Sequence, residues 1–168
     1  MKKLEKYLKY AGLCSAVLAL VAFVLLMATE GCSYDALGQH VGFPGTTVIF
    51  GGTSTVGATT YVLAWSALVA WILLLAALLI LVAGVVLPAL KIKKLQKFAG
   101  LLNLIAVGSL VASGVFVFLS GVIFEATNSD VIPTNVGLGA GWVISGILLL
   151  VSGIVAALPA VADFASKK

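Results

Sequence analysis

The sequence predicts an all-α membrane protein with four transmembrane helices, built as two parallel two-helix repeats about a pseudo-twofold along the membrane normal. Three observations predict it: four long apolar runs, lysines confined to three places, and a pattern shared by the two halves. Hydrophobic residues make up 62% of the 168 and charged residues 10%, where a soluble domain of this size carries roughly a quarter charged residues. The apolar runs at 10–29, 61–87, 99–124 and 136–159 each meet the ~20 residues needed to cross a hydrocarbon core of about 30 Å. Backbone in lipid must satisfy its own hydrogen bonds, so each run is expected to be a helix. Residues 1–168 then form a single integral membrane domain, since too little chain remains outside the bilayer for a soluble core.

The first element is a basic lead, Met1–Lys9, with Lys3, Lys6 and Lys9 at helical spacing. Lysines before an apolar run also describe a signal peptide, but this run outlasts the roughly 7–15-residue core of such a signal. Glu30 before Gly31-Cys32 is unlike a lipoprotein cleavage site. An uncleaved anchor is expected. The outer loop 30–60 is poor in charge and rich in Gly and Thr. Thr46–Phe50 favours β structure and precedes Gly51-Gly52, a hairpin signal. The glycine content favours instead a loop lying over the helix ends.

The second helix opens with Tyr61, Trp65 and Trp71, suited to an outer aromatic belt, and closes at Leu87-Pro88-Ala89. The inner loop 88–97 carries Lys91, Lys93, Lys94 and Lys97. The third helix follows it, and a short outer turn with Asn128, Ser129, Asp130 and Pro133 separates the third from the fourth. The fourth begins in the glycine-rich patch 137–141 and ends at Leu158-Pro159-Ala160.

The formal charge of +4 comes from ten lysines, at 2, 3, 6, 9, 91, 93, 94, 97, 167 and 168. They flank spans and leave the outer loops with Glu30, Asp35, Glu125 and Asp130 alone. That placement excludes a nucleic-acid surface and marks the cytoplasmic side. The expected location is a cell membrane, crossed several times with both termini cytoplasmic. The lysines are then placed against anionic lipid headgroups, each adding on the order of 1 kcal/mol.

The repeat has two signatures. Lys3, Lys6 and Lys9-Tyr-Ala-Gly-Leu13 recur as Lys91, Lys94 and Lys97-Phe-Ala-Gly-Leu101. The block 74–86 recurs, residue for like residue, as 143–155, and both even helices end in Leu-Pro-Ala. Two crossings per half give both halves one orientation.

Candidate chemistry is sparse. No acidic, basic or histidine side chain falls inside a span, which argues against an ion-coupled pump. Asn103, the most polar side chain within a span, is expected to bond a neighbouring helix. Glu30, Cys32, Asp35 and His40 supply metal-ligating atoms within a short stretch, but in no established spacing, so no metal site is assigned. His40 in a solvated loop is the ordinary case, although histidine is also the group that titrates near neutrality. With no nucleophile elbow, phosphate loop or cysteine-pair motif, neither an enzyme nor a cofactor is expected. Cys14 and Cys32 are too far apart for a bond within one chain; a Cys32 bridge between chains stays open.

Small residues give the positive signal. Gly139, Gly146 and Gly153 recur every seven residues in the fourth helix. The matching positions in the second are Ala70, Ala77 and Gly84, and the third carries Ser109, Ser113 and Ser120 on one face. Such seams admit close helix approach in lipid. Four spans with a long first outer loop resemble the layout of tetraspan families such as claudins, but this loop has neither their tryptophan cluster nor their cysteine pair, and no family is assigned. The expected role is a non-enzymatic assembly or accessory subunit, working as a homo-oligomer or within a larger membrane complex. The alternative is a channel or transporter subunit for a small uncharged solute, lined by the serine and glycine faces.

Overall fold

A computed structural model describes residues 2–36, 38–53, 59–89, 99–132 and 135–166, with side chains in 10–35, 38–53, 59–84, 100–132 and 135–159. Residues 90–97 of the basic loop and the side chains of all ten lysines lie outside the described residues. Four long helices dominate: α1 (Lys2–Ala28), α3 (Trp65–Ala89), α4 (Ala99–Thr127) and α5 (Ala140–Ser166). Each is long and apolar enough to cross a membrane, over Tyr10–Ala28, Trp65–Gly84, Gly100–Thr127 and Ala140–Pro159. They stand in a ring in the order α1, α3, α4, α5, each packed on its two ring neighbours.

Small residues make that ring tight. Ala19 and Ala22 of α1, Ala67, Ala70 and Ala77 of α3, Ala106 of α4 and Ala156 of α5 are buried. Where lipid supplies no hydrophobic drive between helices, small side chains that let backbones approach are what packing can use. Branched aliphatic side chains such as Leu79, Val122 and Ile154 point outwards instead.

The all-α expectation fails in the loop 30–60, which is folded into a cap rather than draped. It forms β1 (Glu30–Ala36), β2 (Gln39–Pro44), a short helix α2 (Gly45–Phe50), and the two-residue strands β3 (Gly52–Thr53) and β4 (Thr60–Tyr61). Strand β5 (Gly137–Leu138) adds to β1 from just before α5, giving an antiparallel sheet in the order β2-β1-β5. The hairpin therefore exists, but one element earlier than Thr46–Phe50, around a turn bearing Gly38 at φ 78. Thr46–Phe50 lies in a helix because Val48 and Ile49 are both buried. A strand sends successive side chains to opposite faces and could have buried only one of them. Gly51, at φ 75, ends α2 where only glycine is at ease.

Helix boundaries shift for related reasons. Tyr61 belongs to β4 and not to the second helix, and residues 136–139 precede the fourth. Helix α5 continues through Pro159 to Ser166. Proline removes one internal hydrogen bond, a loss that water can offset near the end of a span. Helix α4, with 29 residues, is about 43 Å long at 1.5 Å per residue. It overshoots the hydrocarbon thickness and carries Glu125 into the cap.

Candidate functional site

Close backbone approaches gather at the junction where the cap meets α1 and α5. Helix α1 ends at Ala28, and the chain turns at once into β1. From the first turn of α5, Trp142 inserts beneath the cap, fully buried, and its Nε1–H donates to the Leu26 carbonyl at 3.1 Å. This satisfies one of the carbonyls that every helix end leaves without an internal partner. Two backbone bonds close the junction, Gly139 N–H to Gly31 O at 3.0 Å and Gly45 N–H to Thr29 O at 2.9 Å.

Glycine is required here by backbone contact. A Cβ on Gly139 would strike the Glu30 carbonyl, and one on Gly45 would strike the Leu26 carbonyl. A Cβ on Gly31 would sit 2.9 Å from Val48 and 3.0 Å from the Trp142 ring. Beneath the sheet, Phe43 is the hub of an aromatic cluster, with ring centroids 4.9 Å from Tyr61, 5.1 Å from Phe124 and 5.9 Å from Tyr34. Edge-to-face packing of this kind stabilises beyond the area it buries.

The α3–α4 side of the cap is fastened by Asn128. Its Oδ1 accepts from Val62 N–H at 2.7 Å, and its Nδ2 donates to Val62 O and Phe124 O, both at 2.9 Å. The side-chain amide thus serves Val62 as a neighbouring strand would. Glu125 Oε2 accepts from Val136 N–H at 3.0 Å. Asn128 and Trp142 were not singled out by sequence reasoning for these roles. The turn reading of Asn128 is local, whereas its partner lies 66 residues away. For Trp142 the available signal was an aromatic residue set directly after a glycine-rich patch.

Within the spans, serines cross-link helices. Ser15 and Ser152 are reciprocal: each hydroxyl donates to the other residue's carbonyl, at 3.0 and 2.9 Å, with the oxygens 2.8 Å apart. Ser145 donates to Gly141 O at 2.8 Å and also lies 3.3 Å from Ala22 O. Ser113 donates to Ala70 O at 2.8 Å, and Ser66 to Ser120 Oγ at 3.2 Å. Asn103 donates to Ala156 O at 2.9 Å.

The small-residue positions singled out from the sequence divide into groups. Gly146 faces α4, where a Cβ would come within 2.7 Å of the Phe118 ring, and Gly153 does so at 2.8 Å from Val111. Gly139 lies outside the helix, in the cap junction. Ala70 and Ala77 are buried in the bundle, as is Ser113, while Ser109 is half-exposed. Gly84 has open space around it. The seven-residue series of α5 therefore serves two places, and its counterpart in α3 meets no matching close approach at Gly84.

On the exposed face of the sheet, His40 stands between two carboxylates. Its Nε2 is 3.1 Å from Glu30 Oε2 and its Nδ1 is 3.1 Å from Asp35 Oδ1. Cys32 turns to the buried side of the sheet, where burial pushes its thiol up to about 12. The four potential ligands do not converge, and among the described residues no three such side chains are set to hold a metal. A Cys32 bridge between chains is closed off by the same burial; Cys14 is exposed and free. No protein-family model matches this chain, nor does any curated protein or solved structure.

Proposed function

We propose that this protein is a non-enzymatic assembly or accessory subunit of a membrane complex, presenting its folded cap on the outer side of a cell membrane. One observation carries the choice over a solute pathway. Of the serines that would line such a pathway, Ser15, Ser66, Ser113, Ser120, Ser145 and Ser152 are fully buried and bonded to helix backbone or to one another, and Ser109 is half-exposed. Polar groups engaged in holding helices together are not free to replace a solute's hydration. The reading is tested by purification from mild detergent, expected to yield an assembly larger than one chain, and by liposomes of the pure protein, expected to pass a small neutral solute no faster than protein-free ones. A monomer that conducts would overturn it.

The orientation proposed rests on the lysines. In a chain freed of its native cysteines, Gly52→Cys is expected to react with an impermeant thiol reagent in intact cells, and Gln96→Cys is not. The duplicated architecture is likewise proposed. The ring order supports it, because α1 stands opposite α4 and α3 opposite α5, as a parallel two-helix repeat requires. The copies have diverged, as Gly84 and Gly153 illustrate.

A further inference from the structure

The outer hairpin carries an arrangement that the proposed role does not use. Asp35 and His40 are register partners across β1 and β2, so their side chains share the outer face of the sheet. Glu30 joins them through a register irregularity between Glu30 and Cys32. A bulge of this kind re-aims a side chain, and here the Glu30 carboxylate lies across Gly42. A Cβ on Gly42 would collide with that carboxylate, so glycine is what lets Glu30 reach His40. Both ring nitrogens then meet carboxylate oxygens, one from each end of β1, at 3.1 Å.

The protonation state follows from donor counting. A neutral imidazole carries one N–H and one lone pair; an imidazolium carries two N–H groups. Two carboxylates can both accept only from the imidazolium, whereas the neutral ring would turn its lone pair towards one of them. Among the described residues no other charged group faces the ring. Helix α2 and strand β5 offer no titratable side chain, Tyr34 packs on Phe43 beneath the sheet, and Cys32 is buried there as well.

We infer that Glu30, Asp35 and His40 form a proton-operated clasp on the outer hairpin, closed while His40 is an imidazolium and relaxed when the proton leaves. The clasp links the hairpin's tip to its base, because Glu30 is also the residue whose backbone abuts Gly139 at the α1–α5 junction. Hydrogen bonds donated to Glu30 and then to Asp35 raise the histidine's pKa from its ordinary 6.5. The stabilisation is thus fully present below the unfolded value and is lost as pH rises through the raised folded value. All three side chains are well exposed, so the effect is local to the hairpin and weakens in salt.

His40 is the only histidine, so its ring resonances in nanodiscs can be followed without ambiguity. The midpoint is expected above 6.5, lowered by Glu30→Gln and by Asp35→Asn singly, and lowered further by both. After correction for intrinsic exchange rates, amides of β1 and β2 are expected to be better protected at about pH 5.5 than at about pH 8.5, and His40→Gln is expected to abolish that difference. A midpoint insensitive to both carboxylate substitutions overturns the clasp, as does pH-dependent protection that survives His40→Gln. Because Asp35 takes no part in the helix junction, Asp35→Asn keeps the test decisive should Glu30→Gln impair folding.

Discussion

Helix α1 lies between two neighbours that hold it by different means. Towards α5 it is fastened along its length: reciprocal serines at Ser15 and Ser152, the Ser145 hydroxyl near Ala22 O, Trp142 on Leu26 O, and then strand pairing of β1 with β5. Towards α3 the described contacts are apolar and aromatic. Phe23 and Trp71 have ring centroids 6.3 Å apart, and Trp71 also takes the edge of Phe50 at 5.2 Å. The indole Nε1 of Trp71 is buried and has no hydrogen-bond partner. Both interfaces place a tryptophan near the cap end of a span, yet only one of the two indoles is bonded. Polar groups in lipid stabilise an interface when they are matched, and an unmatched one costs what its desolvation costs.

Six substitutions, taken in three pairs, test this contrast in descending order of expected effect. Gly139→Val drives a branched side chain into the Glu30 carbonyl, which is backbone and cannot rotate aside. A loss of about 3 kcal/mol or more is expected, at the top of the overpacking range, read as the SDS concentration of half-unfolding in one detergent. Gly84→Val, introduced into open space, is the matched control and should move stability by less than about 0.5 kcal/mol. Equal effects at the two glycines would refute the close approach at the junction.

Next comes a matched pair. Trp142→Phe and Trp71→Phe remove the same volume and the same N–H. The first also leaves the Leu26 carbonyl without its donor, at an expected further cost of about 1–3 kcal/mol, while the second discards a donor that had no partner. Unfolding of both variants under one condition should show Trp142→Phe to be the more damaging. A reversed order would mean that Trp71 is bonded in the membrane and that the α1–α3 interface is not the apolar one.

Ser15→Ala and Ser152→Ala should each cost on the order of 0.6 kcal/mol, the average for hydrogen bonds between membrane helices. Their effects should not add, because either change removes the partner of the other. A double-mutant cycle measures the coupling, and strict additivity would show the two hydroxyls to be independent.

The spans were legible because an apolar run of sufficient length has one backbone solution in lipid. The serine face of α4 was legible for the same reason as any helical period, and Asn103 bonds a neighbouring helix as its chemistry suggested. The cap was not legible. Apolar and polar residues alternate only over the five positions from Cys32 to Ala36, and the strand is defined by partners at Gln39–Pro44 and Gly137–Leu138. Thr46–Phe50 has strand propensity that burial of two adjacent side chains overrides. Periodicity assigned Gly139 to a helix seam, whereas its close neighbour is a strand backbone. Composition records that a small residue is needed and not which partner needs it.

The sheet order β2-β1-β5 also constrains the sequence of events during synthesis. Strand β1 emerges directly after the first helix, yet one of its edges is covered only by Gly137–Leu138, which follow the third. Until then that edge is an open template for another chain, and closing it waits on a contact of very high sequence separation, the slow kind. A ribosome-bound intermediate with three helices inserted would carry an unfinished sheet at the membrane surface. Arrival of the fourth helix both completes the bundle and seals that edge, so the cap registers whether insertion has run to its end.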